Sequence, residues 1–144
     1  MAFDMDDSLG FILNKTALLS KTSLNTKIKE FDISPEQWSL VYRVVQRSGL
    51  TQKELSDSTY KDQANITRSI DRLIQKELIK RVSNDNDRRS FRLYPTDKAV
   101  ALVERIAPIS KAHNEYLTKG LSEQEAAALK VLLKKIYENL EQEI

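Results

Sequence analysis

Within six consecutive residues the chain places Gln63, Ala64, Asn65, Thr67 and Arg68, side chains of the kinds that match the edges of DNA bases. Asparagine and glutamine can pair bidentately with adenine, arginine with guanine, and alanine can pack on a thymine methyl. Arg72 follows one turn later, better placed for a phosphate, and Asp71 is positioned to hold Arg68 or Arg72. A second group, Asp87, Arg88 and Arg89, crowds a polar segment running from Ser83 to Ser90. Arg89 is the residue expected to enter a minor groove, where negative potential favours an inserted guanidinium. Asp87 can accept from it and fix its direction. A third group, Thr51, Gln52 and Lys53, opens a short helix whose free backbone N–H groups suit a phosphate. A solvated helix face and a polar turn use many of the same residue types, so the elements that carry these groups must decide between the readings.

Those elements are legible from capping and periodicity. A first helix is expected over about 7–29, with Leu9, Ile12, Leu13, Thr16, Leu19 and Leu24 on one stripe. Ser34-Pro35-Glu36-Gln37 starts a second: serine caps, proline suits the first helical position and glutamine reaches back. Ile33 and Trp38 form its staple, and Gly49 fits the left-handed position beyond its end. Thr51-Gln52-Lys53-Glu54 repeats the capping box for a short helix ending near Thr59 or Tyr60. Asp62 caps the next, which runs to about Glu77 with Ile66, Ile70, Leu73 and Ile74 on its buried side. Two strands, about 78–82 and 91–94, flank the polar segment as a hairpin. A long helix starts at Thr96 or Asp97, and Pro108 is expected to kink or break it near Ala107. Ser122-Glu123-Gln124-Glu125 opens the last helix, with a seam of Leu129, Leu132, Leu133, Ile136 and Leu140.

The expected fold is therefore mainly α with a small β-hairpin wing: a winged helix-turn-helix over residues 33–96 within a single protomer of 1–144. Helices at both chain ends, 7–29 and 97–144, have apolar stripes with little core of their own to cover, which suits pairing with a second copy. Charge is distributed to match. The chain is formally +2, but residues 61–92 hold nine basic against five acidic side chains, a local +4 over a remainder of −2. With no cysteine, thiol redox sensing, disulfides and Cys-ligated zinc are excluded. His113, the lone histidine, has no ligand cluster around it, so no metal or other cofactor is expected. No glycine-rich phosphate loop or nucleophile arrangement is visible, and the chain is not read as an enzyme. No apolar run reaches the ~18 residues of a membrane span. The acidic N-terminus lacks a signal-peptide core, so the expected location is the cytoplasm.

Taken in order, the motifs resemble those of the MarR family of transcriptional regulators over nearly the full length. The resemblance is carried by Ile33-Ser34-Pro35-Glu36-Gln37-Trp38, by Leu50-Thr51-Gln52-Lys53-Glu54-Leu55, and by Asn65-Ile66-Thr67-Arg68 with Asp71-Arg72-Leu73. Asp87-Arg88-Arg89-Ser90, followed by Leu93 and Thr96, resembles the family's wing and is the most specific of the four. The resemblance implies a homodimer that binds a pseudo-palindromic double-stranded DNA operator, usually as a repressor. Family members often bind small aromatic or anionic effectors; here Phe11, Trp38, Tyr42 and His113 are the candidate lining, with a plain core as the other reading of the aromatics. A winged-helix protein-interaction module with little DNA affinity is the alternative function.

Overall fold

A computed structural model describes residues 2–84 and 87–143, with the side chains of 84–90 outside the description. Two compact units result, Met1–Ser110 and Lys111–Ile144. In the first, α1 (Leu9–Ile28) runs into a single 3₁₀ turn, Lys29–Phe31, and α2 (Pro35–Gln46) follows. Asp32 turns the chain between them in the left-handed region at φ 56°. The expected capping box opens α2: Ser34 Oγ accepts from the Gln37 N–H at 3.2 Å, and Gln37 Oε1 accepts from the Ser34 N–H at 3.3 Å. Ile33 and Trp38 are both buried, as a staple requires. Lys21 of α1 pairs with Glu36 of α2, and its hydrogen bond to that carboxylate raises the ammonium above its ordinary range.

The helix-turn-helix consists of α3 (Gln52–Asp57) and α4 (Gln63–Gln75). α3 stops earlier than periodicity suggests, because Ser58 and Thr59 fold their hydroxyls back onto the Leu55 carbonyl at 3.2 and 2.6 Å. Such local bonds compete with helix continuation. Lys61 then sits at φ 57° and redirects the chain into the Asp62 cap. The turn is tied to α2 twice: Arg43 donates to the Ser58 carbonyl at 3.2 Å, and the Ser39 and Tyr60 hydroxyls lie 3.1 Å apart.

α4 ends in a Schellman arrangement. The Leu78 N–H donates to the Leu73 carbonyl at 2.9 Å and the Glu77 N–H to that of Ile74 at 3.0 Å, with Glu77 at φ 61°. Residues beyond the wing cover the carbonyls left over: Lys98 Nζ donates to the Lys76 oxygen at 2.9 Å and Thr96 Oγ1 to that of Glu77 at 2.6 Å.

The wing is β2 (Ile79–Asn84) and β3 (Asp87–Pro95), antiparallel and longer than the strands expected from sequence. A third strand, β1 (Leu50–Thr51), was not foreseen; it pairs with β3 through Leu50↔Leu93 and Thr51↔Arg92, giving the order β1-β3-β2. Gly49, at φ 89°, donates to the Leu93 carbonyl at 2.8 Å and so fixes the entry to β1. The core gathers side chains from every element of the unit, including Ile28, Val41, Leu55, Ile70, Leu93 and Ile106. On β3, Leu93 is fully buried but Phe91 is exposed.

The helix α5 (Asp97–Leu117) runs through Pro108, so of the kink or break expected there the break does not occur. Proline removes one backbone N–H bond there, while Ile106 is fully buried and Ala107 and Ile109 pack on the core, holding the helix on both sides of the lost bond. In the second unit a capping box at Ser122 and Glu125, with bonds of 2.9 and 3.1 Å, opens α6 (Glu123–Glu143) as expected. None of the described residues of α6 is buried; Leu129, Leu132, Leu133, Tyr137 and Leu140 are exposed. The stripe on α1 is exposed at Leu9, Ile12 and Leu19.

Candidate nucleic-acid interface

Burial divides α4 cleanly. Ile66, Ile70 and Leu73 are buried, whereas Gln63, Ala64, Asn65, Thr67, Arg68, Asp71 and Arg72 are exposed. This split matches the period read from sequence and leaves the base-matching side chains outward on the second helix of the motif. Asp62 caps the helix by accepting from the Asn65 N–H at 3.2 Å, and its other carboxylate oxygen accepts from Asn65 Nδ2 at 2.6 Å. Arg68 in turn donates to Asn65 Oδ1 at 2.6 Å. The three residues are spaced i,i+3, so sequence alone could have suggested the chain of contacts.

Asp71 holds neither Arg68 nor Arg72. Its carboxylate accepts from Arg81 of β2 at 2.9 Å. Arg72 is a sequence neighbour and points to a different side of the helix, while Arg68 is occupied by Asn65. Arg81 also lies over the Phe91 ring, 5.5 Å from its centroid. Nothing in the sequence singles out Arg81, because its partner lies ten residues and one element away.

The start of α3 is also more engaged than expected. Thr51 and Glu54 form the full capping box, with the Thr51 N–H donating to the Glu54 carboxylate at 3.4 Å. That N–H is engaged within the capping box. Lys53 pairs with Asp57 at 3.3 Å at an exposed site. Gln52 leaves its own helix: Nε2 donates to Thr67 Oγ1 at 2.7 Å, and that hydroxyl donates to the Gln63 carbonyl at 2.9 Å. The fold thus brings Gln52 onto the exposed side of α4.

The backbone puts Asp87, Arg88 and Arg89 in β3 rather than in a free turn. Their side chains, and with them the expected Asp87–Arg89 contact, lie outside the described residues. Arg92, further along the strand, donates to the Gly49 carbonyl at 2.8 Å and clamps β3 to the start of β1.

Of the candidate effector lining, the structure brings together Trp38 and Tyr42, whose ring centroids are 5.5 Å apart at 56°. Trp38 is core and Tyr42 is exposed. Phe11 lies under Lys15, 4.8 Å from Nζ to the ring centroid. His113 is buried and belongs to the second unit. A concavity that sequence reasoning missed lies between α2 and α4, about 740 Å³ in volume, with Glu36, Leu40, Tyr60, Asn65, Ser69 and Arg72 among its walls. Among the described residues no cluster of three or more His, Asp or Glu suits a metal ion, and no described helix is long and apolar enough to cross a membrane.

A helix-turn-helix with an outward polar second helix, backed by a three-stranded wing, defines the winged-helix class of DNA-binding proteins. The comparisons narrow the class. The MarR family model matches residues 33–91. The multiple antibiotic resistance protein MarR of Salmonella typhimurium is 34% identical over 115 residues, covering 78% of this chain and 79% of the relative. A mutant MarR from E. coli, solved in complex with operator DNA, superimposes with a TM-score of 0.85 at 27% identity, covering 94% of this chain and 98% of that one. BpsR of Bordetella bronchiseptica, whose DNA binding is regulated by 6-hydroxynicotinic acid, shares the fold with a TM-score of 0.89 at 20% identity, over 95% and 98% of the two chains. The chain belongs to the MarR family and is a DNA-binding transcriptional regulator.

Proposed function

We propose that the chain acts as a homodimeric, sequence-specific repressor on a pseudo-palindromic operator. Each protomer sets α4 into a major groove, with Gln63, Ala64, Asn65, Thr67 and Arg68 toward the bases and Arg72 toward phosphate. Thr51, Gln52 and Lys53 approach the backbone at the start of α3. The wing reaches the flanking minor groove with Arg89, supported by Arg88 and Asp87. The observation that carries this reading is the outward exposure of the base-matching face of α4, opposite its buried Ile66, Ile70 and Leu73. The E. coli relative of the same fold, solved with operator DNA, supports an operator as the partner.

Dimerisation is assigned to α1 and to 97–144, outside the winged region of 33–96. Its support is the row of exposed apolar side chains along α6, from Leu129 to Leu140, which leaves more apolar surface in water than a lone protomer favours. A small aromatic or anionic effector relieves repression by favouring a dimer whose two reading helices no longer match the half-site spacing. The tilted Trp38–Tyr42 pair is the part of the expected lining that the fold assembles.

The test is a fluorescence-anisotropy titration with DNA selected from genomic fragments, run beside sedimentation of the free protein and the complex. The expected result is a dimer in both, with affinity falling steeply as salt is raised because bound counterions are released. A monomer on DNA sinks the dimer assignment. Failure to select any fragment, together with a salt-independent protein partner, points to an interaction module instead.

A further inference from the structure

The exposed side chains at the start of α4 form a relay of their own. Asp62 accepts from Asn65 Nδ2 at 2.6 Å, and Asn65 Oδ1 accepts from Arg68 at 2.6 Å. The neighbours fix which end of the amide is which. A carboxylate only accepts and a guanidinium only donates, so the nitrogen faces Asp62 and the oxygen faces Arg68. Both contacts span three residues, and the amide is therefore strung along the helix. A bidentate contact to adenine needs the amide nitrogen and oxygen side by side on one base edge. With one N–H given to Asp62 and one lone pair to Arg68, Asn65 keeps a single donor and a single acceptor, and its two partners rather than a base set the direction of the amide. Arg68 spends one N–H on Asn65, and a guanidinium carries five. Its remaining fork suits O6 and N7 of guanine.

We propose that Arg68 reads a guanine at this end of α4, that Asn65 is a positioning residue which aims it, and that Asp62 sets the Asn65 amide while also capping the helix. The inference rests on the major-groove docking proposed above and deepens it, replacing an asparagine–adenine contact with an arginine–guanine contact. Asn65 and Arg68 then govern the same base pair rather than two.

Selection from a random duplex pool followed by titration tests this, using the full chain and its Asn65→Ala, Arg68→Ala, double and Asn65→Asp variants. The side chains are exposed, and the fold of each variant is checked by circular dichroism. Arg68→Ala is expected to lower discrimination at one G·C pair by about tenfold or more. Asn65→Ala weakens the same pair by a smaller factor, and the double variant is no worse than Arg68→Ala, as coupled residues require. Asn65→Asp keeps an acceptor for Arg68, so guanine stays preferred at that pair although overall affinity falls. Loss of preference at an A·T pair in Asn65→Ala, or losses that multiply in the double variant, overturns the relay and leaves the docking intact. A parent protein that enriches no sequence overturns the docking itself.

Discussion

Asp71 of α4 accepts a hydrogen bond from Arg81 of β2 at 2.9 Å, and this pair ties the reading helix to the wing. The same guanidinium stacks over Phe91 of β3. One side chain thus touches the helix proposed for the major groove and both strands of the element proposed for the minor groove. Both partners keep solvent access, with side chains 32% and 55% exposed for Arg81 and Asp71, so the pair contributes little to folding. Its value lies in the angle between the two elements. Arg81→Ala is expected to cost no more than about 1 kcal/mol in denaturant unfolding, yet to weaken operator binding several-fold. Equal affinity for the parent and Arg81→Ala would show that the wing angle is set elsewhere.

Thr67 has its hydroxyl engaged on both sides, so its methyl is the group expected to meet a base. Its one hydroxyl hydrogen goes to the Gln63 carbonyl, and its oxygen also accepts from Gln52. Thr67→Val, which keeps the methyl, should bind nearly as the parent does, whereas Thr67→Ser should lose preference for a thymine in the site. Replacing that thymine by deoxyuridine in the operator should reproduce the Thr67→Ser loss, on the order of 1 kcal/mol per methyl contact. If Thr67→Val is the damaged variant, the hydroxyl makes the contact.

Arg89→Ala should remove most operator affinity while leaving the oligomeric state unchanged. A gel-shift series beside a sedimentation profile reads both. Full binding by the variant would take the wing out of the proposed interface.

Gly49 sits at φ 89°, and a Cβ built there would lie 3.3 Å from the Tyr94 hydroxyl. Gly49→Ala should lower stability by about 1–2 kcal/mol from the left-handed backbone alone, measured by urea unfolding. Because Gly49 also anchors β1 to β3, DNA affinity should fall with it.

Glu77 occupies a similar left-handed position at the end of α4, at φ 61°. Glycine there keeps every backbone bond of the Schellman turn and removes the Cβ conflict. Glu77→Gly should raise the unfolding free energy by up to about 1 kcal/mol, visible as a higher urea midpoint with an unchanged slope. A drop would mean that the Glu77 side chain has a packing role.

The sequence by itself determined what depends on neighbours three or four residues apart. The capping boxes at Ser34, Thr51 and Ser122, the Asp62 cap and the buried period Ile66-Ile70-Leu73 all follow from fixed helical spacing, and each is found in place. The winged-helix order of elements was legible for the same reason. Contacts between elements were not. Two-residue β1 has no periodicity of its own and is a strand only because Leu93 and Arg92 of β3 lie beside it. Pro108 reads as a kink or break when its lost N–H bond is considered locally, but the core packing of Ile106 and Ile109 carries the helix through. Gln52 meets Thr67, and Asp71 meets Arg81, only after the buried faces of α3, α4 and the sheet have docked. Helical spacing identified the residues that face outward on α4; side-chain partners brought in by packing decided which of their hydrogen-bonding groups remain for DNA.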